Sequence, residues 1–125
     1  MSYYIYSFEK LEVYQLSRKY KIDIKITSRL FPEEERFELT SQINKSVASI
    51  SANLAEGSGK ASNFDHGHFT NMAYTKGLEV IDHLNTALDF GYIDENKYIE
   101  LRKKLDLILN KLNSLYKFQK IIKRY

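Results

Sequence analysis

A lysine beside two glycines is the part of this sequence that could most readily bind a phosphate. The stretch Gly57-Ser58-Gly59-Lys60 combines small, flexible residues with a cation, as phosphate-binding loops do. That loop needs Gly-x-x-x-x-Gly-Lys-Ser/Thr after a β-strand, but Leu54 stands at the first glycine position and Ala61 follows the lysine. Because the preceding residues also have helical periodicity, the sequence does not predict a phosphate-binding loop.

The same stretch suits the end of one helix and the start of the next. Gly57 or Gly59 can adopt the left-handed conformation that closes a helix. Ser62 or Asn63 can then cap the following helix through a side-chain oxygen. We therefore predict a turn between two helices.

Histidine and acidic side chains at helical spacing are the next candidates, because together they could bind a metal. Asp65 and His68 are three residues apart, like the Glu-x-x-His motif of di-iron bundles, and Glu79 and His83 share a helix face. A di-iron site needs two such motifs and two further glutamates, and no second motif occurs here. We therefore expect neither a metal nor another cofactor.

The other possible nucleophiles are also poorly equipped for catalysis. The serines of residues 46–58 have no general base at a useful spacing, and the absence of cysteine excludes thiol chemistry. Absence of cysteine also fits the cytoplasm, the first eight residues do not form a signal peptide, and no apolar run is long enough to span a membrane. We expect a cytoplasmic protein that is not an enzyme and does not contact a membrane.

Apolar residues at every third or fourth position predict helices rather than strands. The 125 residues suit one domain, 1–125, and one proline and five glycines are too few for the turns of a β-sandwich. Pro32 begins the second helix, Gly91 ends the third, and Asp94 caps the fourth. Short links predict an all-α fold, an antiparallel up-down-up-down four-helix bundle. Its helices are expected at about 8–30, 33–57, 63–90 and 94–122.

The same periodicity predicts which residues of each helix point inward. In helix two they are Leu39, Ile43, Val47, Ile50 and Leu54. In helix three they are Phe69, Met72, Ala73, Leu78 (or Gly77), Ile81, Leu84 and Leu88. The second half of helix two is also rich in Ser and Ala, which allows a neighbouring helix to come close.

Charge is segregated along the chain. Residues 97–125 carry nine Lys and Arg against two acids, a net charge of +7, whereas residues 61–96 carry −5. Helix one is also basic, and in a simple bundle helix four returns beside it. The basic side then suits an anionic polymer, and the acidic side suits a basic partner or a second copy of the chain. The alternative is that these lysines only keep a helix face solvated.

We select cations of helices one, two and four as candidates for nucleic-acid binding. They are Lys10, Arg18, Lys25, Lys45, Lys103, Lys104, Lys111 and Lys117. Aromatic and basic residues also alternate at 116–120 and 123–125, a mixture that binds single-stranded nucleic acid by stacking and charge. The competing interpretation is that Tyr116 and Phe118 pack inside while the lysines are solvated.

Four segments resemble the bacterial four-helix bundle family that includes proteins encoded in intervening sequences of 23S ribosomal RNA genes. They are FEKLEVYQLS (8–17), FPEEERFEL (31–39), QINKSVASISANLAEG (42–57) and GYI (91–93). The chain is also similar to the accessory variability determinant of diversity-generating retroelements. The most specific motif is matched by Gln42, Ile43, Ser49, Ile50, Asn53, Leu54, Ala55, Glu56 and Gly57, and Ala73 and Glu79 match a second pattern.

The resemblance implies a four-helix bundle that assembles as a ring-like homopentamer and catalyses no reaction. The retroelement members use a basic surface to bind RNA and work with a reverse transcriptase, so RNA becomes the expected partner. The chain departs from the family at Asn44-Lys45-Ser46, where two arginines and an alanine are usual. This departure removes part of the positive charge.

The polar motif residues of helix two also need an explanation. Asn53 and Glu56 are three apart and share a helix face, and if buried they need hydrogen-bond partners. A satisfied network can select one packing among many. We therefore assign a structural or subunit-interface role to the motif positions Gln42, Ser49, Asn53, Glu56, Gly57 and Glu79.

Together these patterns predict a non-enzymatic homo-oligomer, a pentamer by analogy with the family. Its basic surface is expected to bind RNA or a nucleoprotein partner. The alternative is a structural or protein-interaction module that does not bind nucleic acid.

Overall fold

Four long helices form the part of the chain that the computed structural model describes, residues 2–122, with side chains to residue 120. They are α1 (Glu12–Ser28), α2 (Leu39–Ser58), α3 (Asn63–Asp89) and α4 (Glu95–Ile122). Two short 3-10 helices, Ser7–Lys10 and Glu33–Glu35, precede α1 and α2. No strand occurs within these residues, so the predicted all-α class is confirmed. Lys123, Arg124 and Tyr125, part of the predicted aromatic and basic mixture, lie outside the described residues.

Each helix packs against its neighbours along the chain, and α4 returns to α1. The two diagonal pairs, α1 with α3 and α2 with α4, make no close backbone approach among the described residues. This arrangement is the predicted up-down-up-down four-helix bundle. The tyrosine Tyr20 helps to place α4 on α1, because its buried hydroxyl donates to the Leu101 carbonyl oxygen at 2.9 Å. Burial raises the pKa of Tyr20 above its ordinary value.

The core confirms the predicted inward face of α2 and corrects that of α3. Every predicted inward residue of α2 is buried. In α3 the buried positions are Gly67, Thr70, Ala73, Gly77, Val80, Leu84 and Ala87. Of the two alternatives predicted at one position, Gly77 is buried whereas Leu78 is 45% exposed. Phe69, Met72, Ile81 and Leu88 lie half-buried at the edges. Small residues occupy the centre of this face because α2 and α4 pack close to it.

Helices one and two are shorter than predicted. An extended residue, Leu11, with φ −64° and ψ 131°, separates the first 3-10 helix from α1. The second helix begins at Leu39 rather than residue 33. Between Pro32 and Leu39 the buried carboxylate of Glu35 accepts hydrogen bonds from the Tyr92 hydroxyl at 2.7 Å and the Leu39 N–H at 3.4 Å. These bonds hold residues 33–35 next to Tyr92, which follows the end of α3, as a turn separate from α2.

The predicted caps around α3 and α4 are confirmed. The Ser62 hydroxyl oxygen accepts from the Asp65 N–H at 3.2 Å, and the Asp94 carboxylate accepts from the Lys97 N–H at 2.8 Å. Gly91 has a φ of 76° and follows the last turn of α3. Its N–H donates to Leu88, and the next N–H donates to Ala87, which satisfies the final carbonyl groups of the helix.

The left-handed conformation expected at Gly57 or Gly59 is wrong. Gly59 is right-handed with φ −84°, and Gly57 lies within α2. A Cβ atom at position 57 would stand 2.7 Å from the Cβ atom of Phe69 in α3. Glycine at 57 is therefore explained by the close approach of α2 and α3 and not by helix termination.

Candidate nucleic-acid interface

An open groove of about 1050 Å³ runs between α1 and α2, and it concentrates positive charge. We call it the α1–α2 groove. Its cationic lining residues are Arg18, Lys19, Lys21, Lys25 and Arg29. Glu9 is the one acidic residue among the described residues that line it. None of the five cations has an ion-pair partner in the described part of the chain. The groove therefore carries a local charge that the fold does not neutralise.

The spacing of the α1 side chains explains why the cations gather there. Arg18, Lys25 and Arg29 are separated by seven and four residues, so they project from one face of the helix. Ile22 and Ile26 lie on the same outward face and are 60% and 57% exposed. Two aliphatic side chains therefore lie between the cationic side chains that line the groove.

The α2 side of the groove is formed by smaller residues, Val47 and Ala48, and by Asn44. The Asn44 carboxamide donates to the Ser28 hydroxyl at 2.9 Å and to the Thr40 carbonyl at 2.8 Å. The bond to Ser28 ties α2 to the last turn of α1, and the bond to Thr40 lies within α2. The position where the family usually has arginine is therefore occupied here by a side chain engaged in helix packing.

The candidate lysines of α4 occupy a different environment. Lys104 pairs with Asp23 at 3.1 Å, and Lys111 pairs with Glu12 at 2.8 Å. The two basic helices meet, as predicted. Where they meet, Asp23 and Glu12 of α1 partly neutralise the positive charge of the α4 lysines. Lys103 is exposed and has no ion pair within the described residues.

The structure does not bring the eight predicted cations into one site. Arg18 and Lys25 line the α1–α2 groove, and Lys45 shares an adjoining depression with Lys25. The remaining candidates are distributed elsewhere: Lys10 before α1, and Lys103, Lys104, Lys111 and Lys117 along α4. Lys19, Lys21 and Arg29 also line the groove but are absent from the predicted set, although the helical spacing of α1 could have indicated them.

The family-motif residues of α2 divide into buried and exposed groups. Asn53 is buried, and its carboxamide donates to the Ser49 carbonyl at 2.8 Å, while the Ser49 hydroxyl donates to the Lys45 carbonyl at 2.9 Å. Gln42 and Glu56 are exposed. Asn53 and Glu56 therefore do not form a shared buried network.

The motif residue Glu79 of α3 faces α2 across a depression of about 320 Å³ that Gln42 also lines. The Lys76 ammonium lies 2.9 Å from its carboxylate, and the Ser46 hydroxyl donates to it at 3.3 Å. The hydrogen bond from Lys76 and the charge of its ammonium group lower the pKa of Glu79, and the bond from Ser46 adds to this effect. The carboxylate is thus held ionised and joins two helices.

Residues 9–114 of the sequence match the family model of the 23S rRNA-intervening sequence protein. The match covers most of the chain and all four helices except the end of α4. The chain belongs to the 23S rRNA-intervening sequence protein family. The α1–α2 groove and the motif of α2 therefore both lie within the family region.

A solved structure supports the same fold for this family member. It is the crystal structure of a protein of unknown function from the S23 ribosomal protein family of Bacteroides thetaiotaomicron VPI-5482. The TM-score is 0.78 at 24% sequence identity, covering 84% of this chain and 95% of the other. At this identity the likeness shows the fold alone. Among curated proteins, no sequence match was found.

Within residues 2–122, no three His, Asp or Glu side chains lie close enough together to bind a metal ion. None of the described helices is both long and apolar enough to cross a membrane.

Proposed function

We propose that this protein is a non-enzymatic, RNA-binding protein of the cytoplasm that assembles with copies of itself. The observation that carries the RNA proposal is the cluster of five cations without ion pairs in the α1–α2 groove. The family's relation to ribosomal RNA genes and the resemblance to the accessory variability determinant point to the same class of partner.

The groove suits a sugar–phosphate backbone better than it suits bases. Lys and Arg bind RNA mainly by neutralising phosphates and releasing their counterions. None of the described residues that line the groove is aromatic, so it has no ring on which a base could stack. We therefore propose binding that follows the shape and charge of the RNA more than its base sequence.

A charge-matched pair of variants tests the proposed surface. The groove variant carries Arg18→Gln, Lys25→Gln and Arg29→Gln. The control carries Lys76→Gln, Lys97→Gln and Lys104→Gln, which remove the same charge from lysines that already pair with acids. Both are titrated against a labelled, structured RNA. We expect the groove variant to bind roughly tenfold more weakly or worse, and the control to bind nearly as wild type. Equal binding by the two variants would exclude the groove as the RNA surface.

A specific observation favours self-assembly as a second function. Leu30 and Phe37 are 72% and 83% exposed, and Phe37 lines a depression that also includes Lys25 of the groove. Large apolar side chains at such exposure are of the kind that subunit interfaces cover. By analogy with the family we propose a pentamer. If assembly occurs but RNA does not bind even at low salt, the protein is a structural or protein-interaction module instead.

A further inference from the structure

A run of large, exposed side chains lies just before the first 3-10 helix. We give the name tyrosine arm to Tyr3, Tyr4, Ile5 and Tyr6, which belong to no helix. Their side chains are 66%, 75%, 39% and 59% exposed, in that order. A single exposed apolar residue is normal, but a contiguous exposed group of this kind is typical of a binding surface. The packing of the bundle does not account for these rings.

The tyrosine arm is anchored to the bundle at its Tyr6 end. The Tyr6 N–H donates to the Glu9 carboxylate at 2.9 Å, and the Glu9 N–H donates to the Tyr6 carbonyl at 3.1 Å. The Phe8 ring meets Tyr14 of α1 edge to face, with 5.0 Å between the ring centroids. The 3-10 helix that carries Phe8 packs on both α1 and α2. Because these contacts hold the base of the arm in place before binding, less conformational entropy is lost when a ligand stacks on it.

The rings of Tyr3 and Tyr4 are available to a ligand. Tyr3 contacts no other ring within residues 2–122, and Tyr4 makes one T-shaped contact, with Tyr6, at 4.9 Å between centroids. Neither hydroxyl has a hydrogen-bond partner in the described part of the chain. Both rings stand at the surface and not in a cavity, so surrounding atoms do not limit the size of a group that stacks on them.

The α1–α2 groove reaches the base of the tyrosine arm. Glu9, which accepts the hydrogen bond from Tyr6, also lines the groove. Gln15 lines it too, and its carboxamide donates to the Glu9 carbonyl at 3.2 Å. The groove offers cations but no rings, whereas the arm offers rings but no charge. Surfaces that bind single-stranded nucleic acid combine these two features, cations for the backbone and rings for the bases.

We propose that the tyrosine arm stacks unpaired bases of an RNA whose backbone lies in the α1–α2 groove. The inference rests on the proposed RNA binding, and it narrows the partner to RNA with an unpaired segment beside its structured part. Because stacking uses the face that every base has, this contact tolerates any base sequence.

A second copy of the chain is the competing occupant of the arm, and the position of the arm favours RNA. The arm precedes α1, whereas Leu30, one of the two residues proposed for self-assembly, follows it. The 17 residues of α1 span about 25 Å at a rise of roughly 1.5 Å per residue. The arm is therefore far from the proposed subunit contact and adjacent to the groove.

Binding of two RNAs that share one duplex tests the stacking contact. One RNA is blunt-ended, and the other carries a short, unpaired oligoadenylate extension. We expect wild type to bind the extended RNA about fivefold to a hundredfold more tightly, the range expected when a base stacks on an aromatic ring. The double variant Tyr3→Ala, Tyr4→Ala should lose this preference and still bind the blunt duplex as wild type does.

The matched control is Tyr3→Phe, Tyr4→Phe, which keeps both rings and the same charge. It should retain the preference for the extended RNA, because stacking needs the ring and not the hydroxyl. Since the added phosphates attract all variants equally, only the rings distinguish the phenylalanine variant from the alanine variant. An equal preference in the two variants would overturn the proposal.

The groove variant of Arg18, Lys25 and Arg29 separates failure of the arm from failure of the proposed function. It should bind both RNAs more weakly and keep its preference for the extended one. If it weakens both while wild type shows no preference, the arm proposal fails and the groove stands. If it binds both as wild type does while the alanine variant loses the preference, the arm contact stands and the groove fails.

NMR and light scattering test the arm without relying on the duplex. Unstructured oligoadenylate should shift the amide signals of Ile5 and Tyr6 in a saturable manner, and no shift at millimolar concentration would overturn the proposal. The alanine variant should keep the mass of the wild-type assembly. A loss of assembly together with an unchanged RNA preference would assign the arm to a subunit contact and contradict the stacking role.

Discussion

At the scale of single residues, the glycine at position 57 is required by helix packing and not by a phosphate-binding site. Its position in a small, lysine-containing stretch suggests a phosphate loop or a helix end. In the folded chain it lies within α2, where Phe69 of α3 comes so close that a side chain would not fit. The sequence could not reveal this role, because the contact joins residues on two helices.

We predict that Gly57→Ala destabilises the protein by about 1–3 kcal/mol, the usual cost of adding atoms to a packed contact. The clashing Phe69 atom is a Cβ, which can move only with the backbone of α3. Urea unfolding measures the change, with Gly59→Ala as the control, since its nearest neighbour would be 3.5 Å away. If the two variants are equally stable, the close approach of α2 and α3 at Gly57 is not a constraint.

The contact between Tyr92 and Glu35 predicts a pH-dependent contribution to stability. Donation of the Tyr92 hydroxyl to the carboxylate raises the pKa of Tyr92 to about 12. Since the ordinary tyrosine pKa is about 10, the bond should stabilise the fold fully below pH 10 and be lost as the pH rises through 12.

We therefore expect Tyr92→Phe to lower the free energy of unfolding at neutral pH, and the difference from wild type to shrink between about pH 10 and 12. Chemical denaturation at a series of pH values measures this difference. Tyr74→Phe is the control, because the Tyr74 hydroxyl has no hydrogen-bond partner in the described part of the chain. A difference that stays constant to pH 12 would show that the hydroxyl's proton is not involved.

At the scale of helices, the number and order of the helices and the caps of α3 and α4 could be predicted, but the inward face of α3 and the start of α2 could not. The α2 stripe alternates large apolar residues with Ser and Ala, so its inward face is evident. In α3 the largest apolar residues lie beside the buried face, whose centre holds Gly67, Ala73 and Gly77. A prediction that places the largest apolar side chains inside therefore selects residues at the edge of the buried face of α3. The delayed start of α2 depends on Glu35 and Tyr92, which are distant in sequence.

The cap of α4 provides a prediction for an entire element. Asp94 accepts from the Lys97 N–H, one of the backbone groups that the helix leaves without an internal partner. We predict that Asp94→Ala destabilises the protein by about 1 kcal/mol. Thermal unfolding followed by circular dichroism measures the loss, and Asp94→Asn should retain most of the stability. An alanine variant as stable as wild type would contradict the capping role.

At the scale of the whole molecule, charge segregation could be predicted from sequence, but the location of the free charge could not. Lys104 and Lys111 appear equivalent to Arg18 and Lys25 in a list of cations. Only the packed bundle shows that acids of α1 reach the α4 lysines and leave the α1–α2 groove with the unneutralised charge. Ion pairs between helices depend on rotation about each axis, which periodicity does not define to a single residue.

The proposed self-assembly is a second property of the whole molecule. If exposed apolar residues form the subunit interface, replacing them with glutamate should disrupt the assembly. We expect the wild-type protein to elute as a pentamer, and the double variant Leu30→Glu, Phe37→Glu to dissociate, because burying either carboxylate is costly. Size-exclusion chromatography with light scattering measures the mass. The control is Leu107→Glu, a similar change on α4. A pentamer that survives the double change would place the interface elsewhere, and a monomeric wild type would contradict self-assembly.

The most direct test of the central claim is the salt dependence of binding to a structured RNA by the wild-type protein and the groove variant. A phosphate-dominated contact predicts a steep linear fall of log K with log salt. Removing Arg18, Lys25 and Arg29 should reduce the slope by about 2, since each phosphate contact contributes roughly 0.7–0.9. Absence of binding at low salt, or an unchanged slope in the variant, would contradict the account.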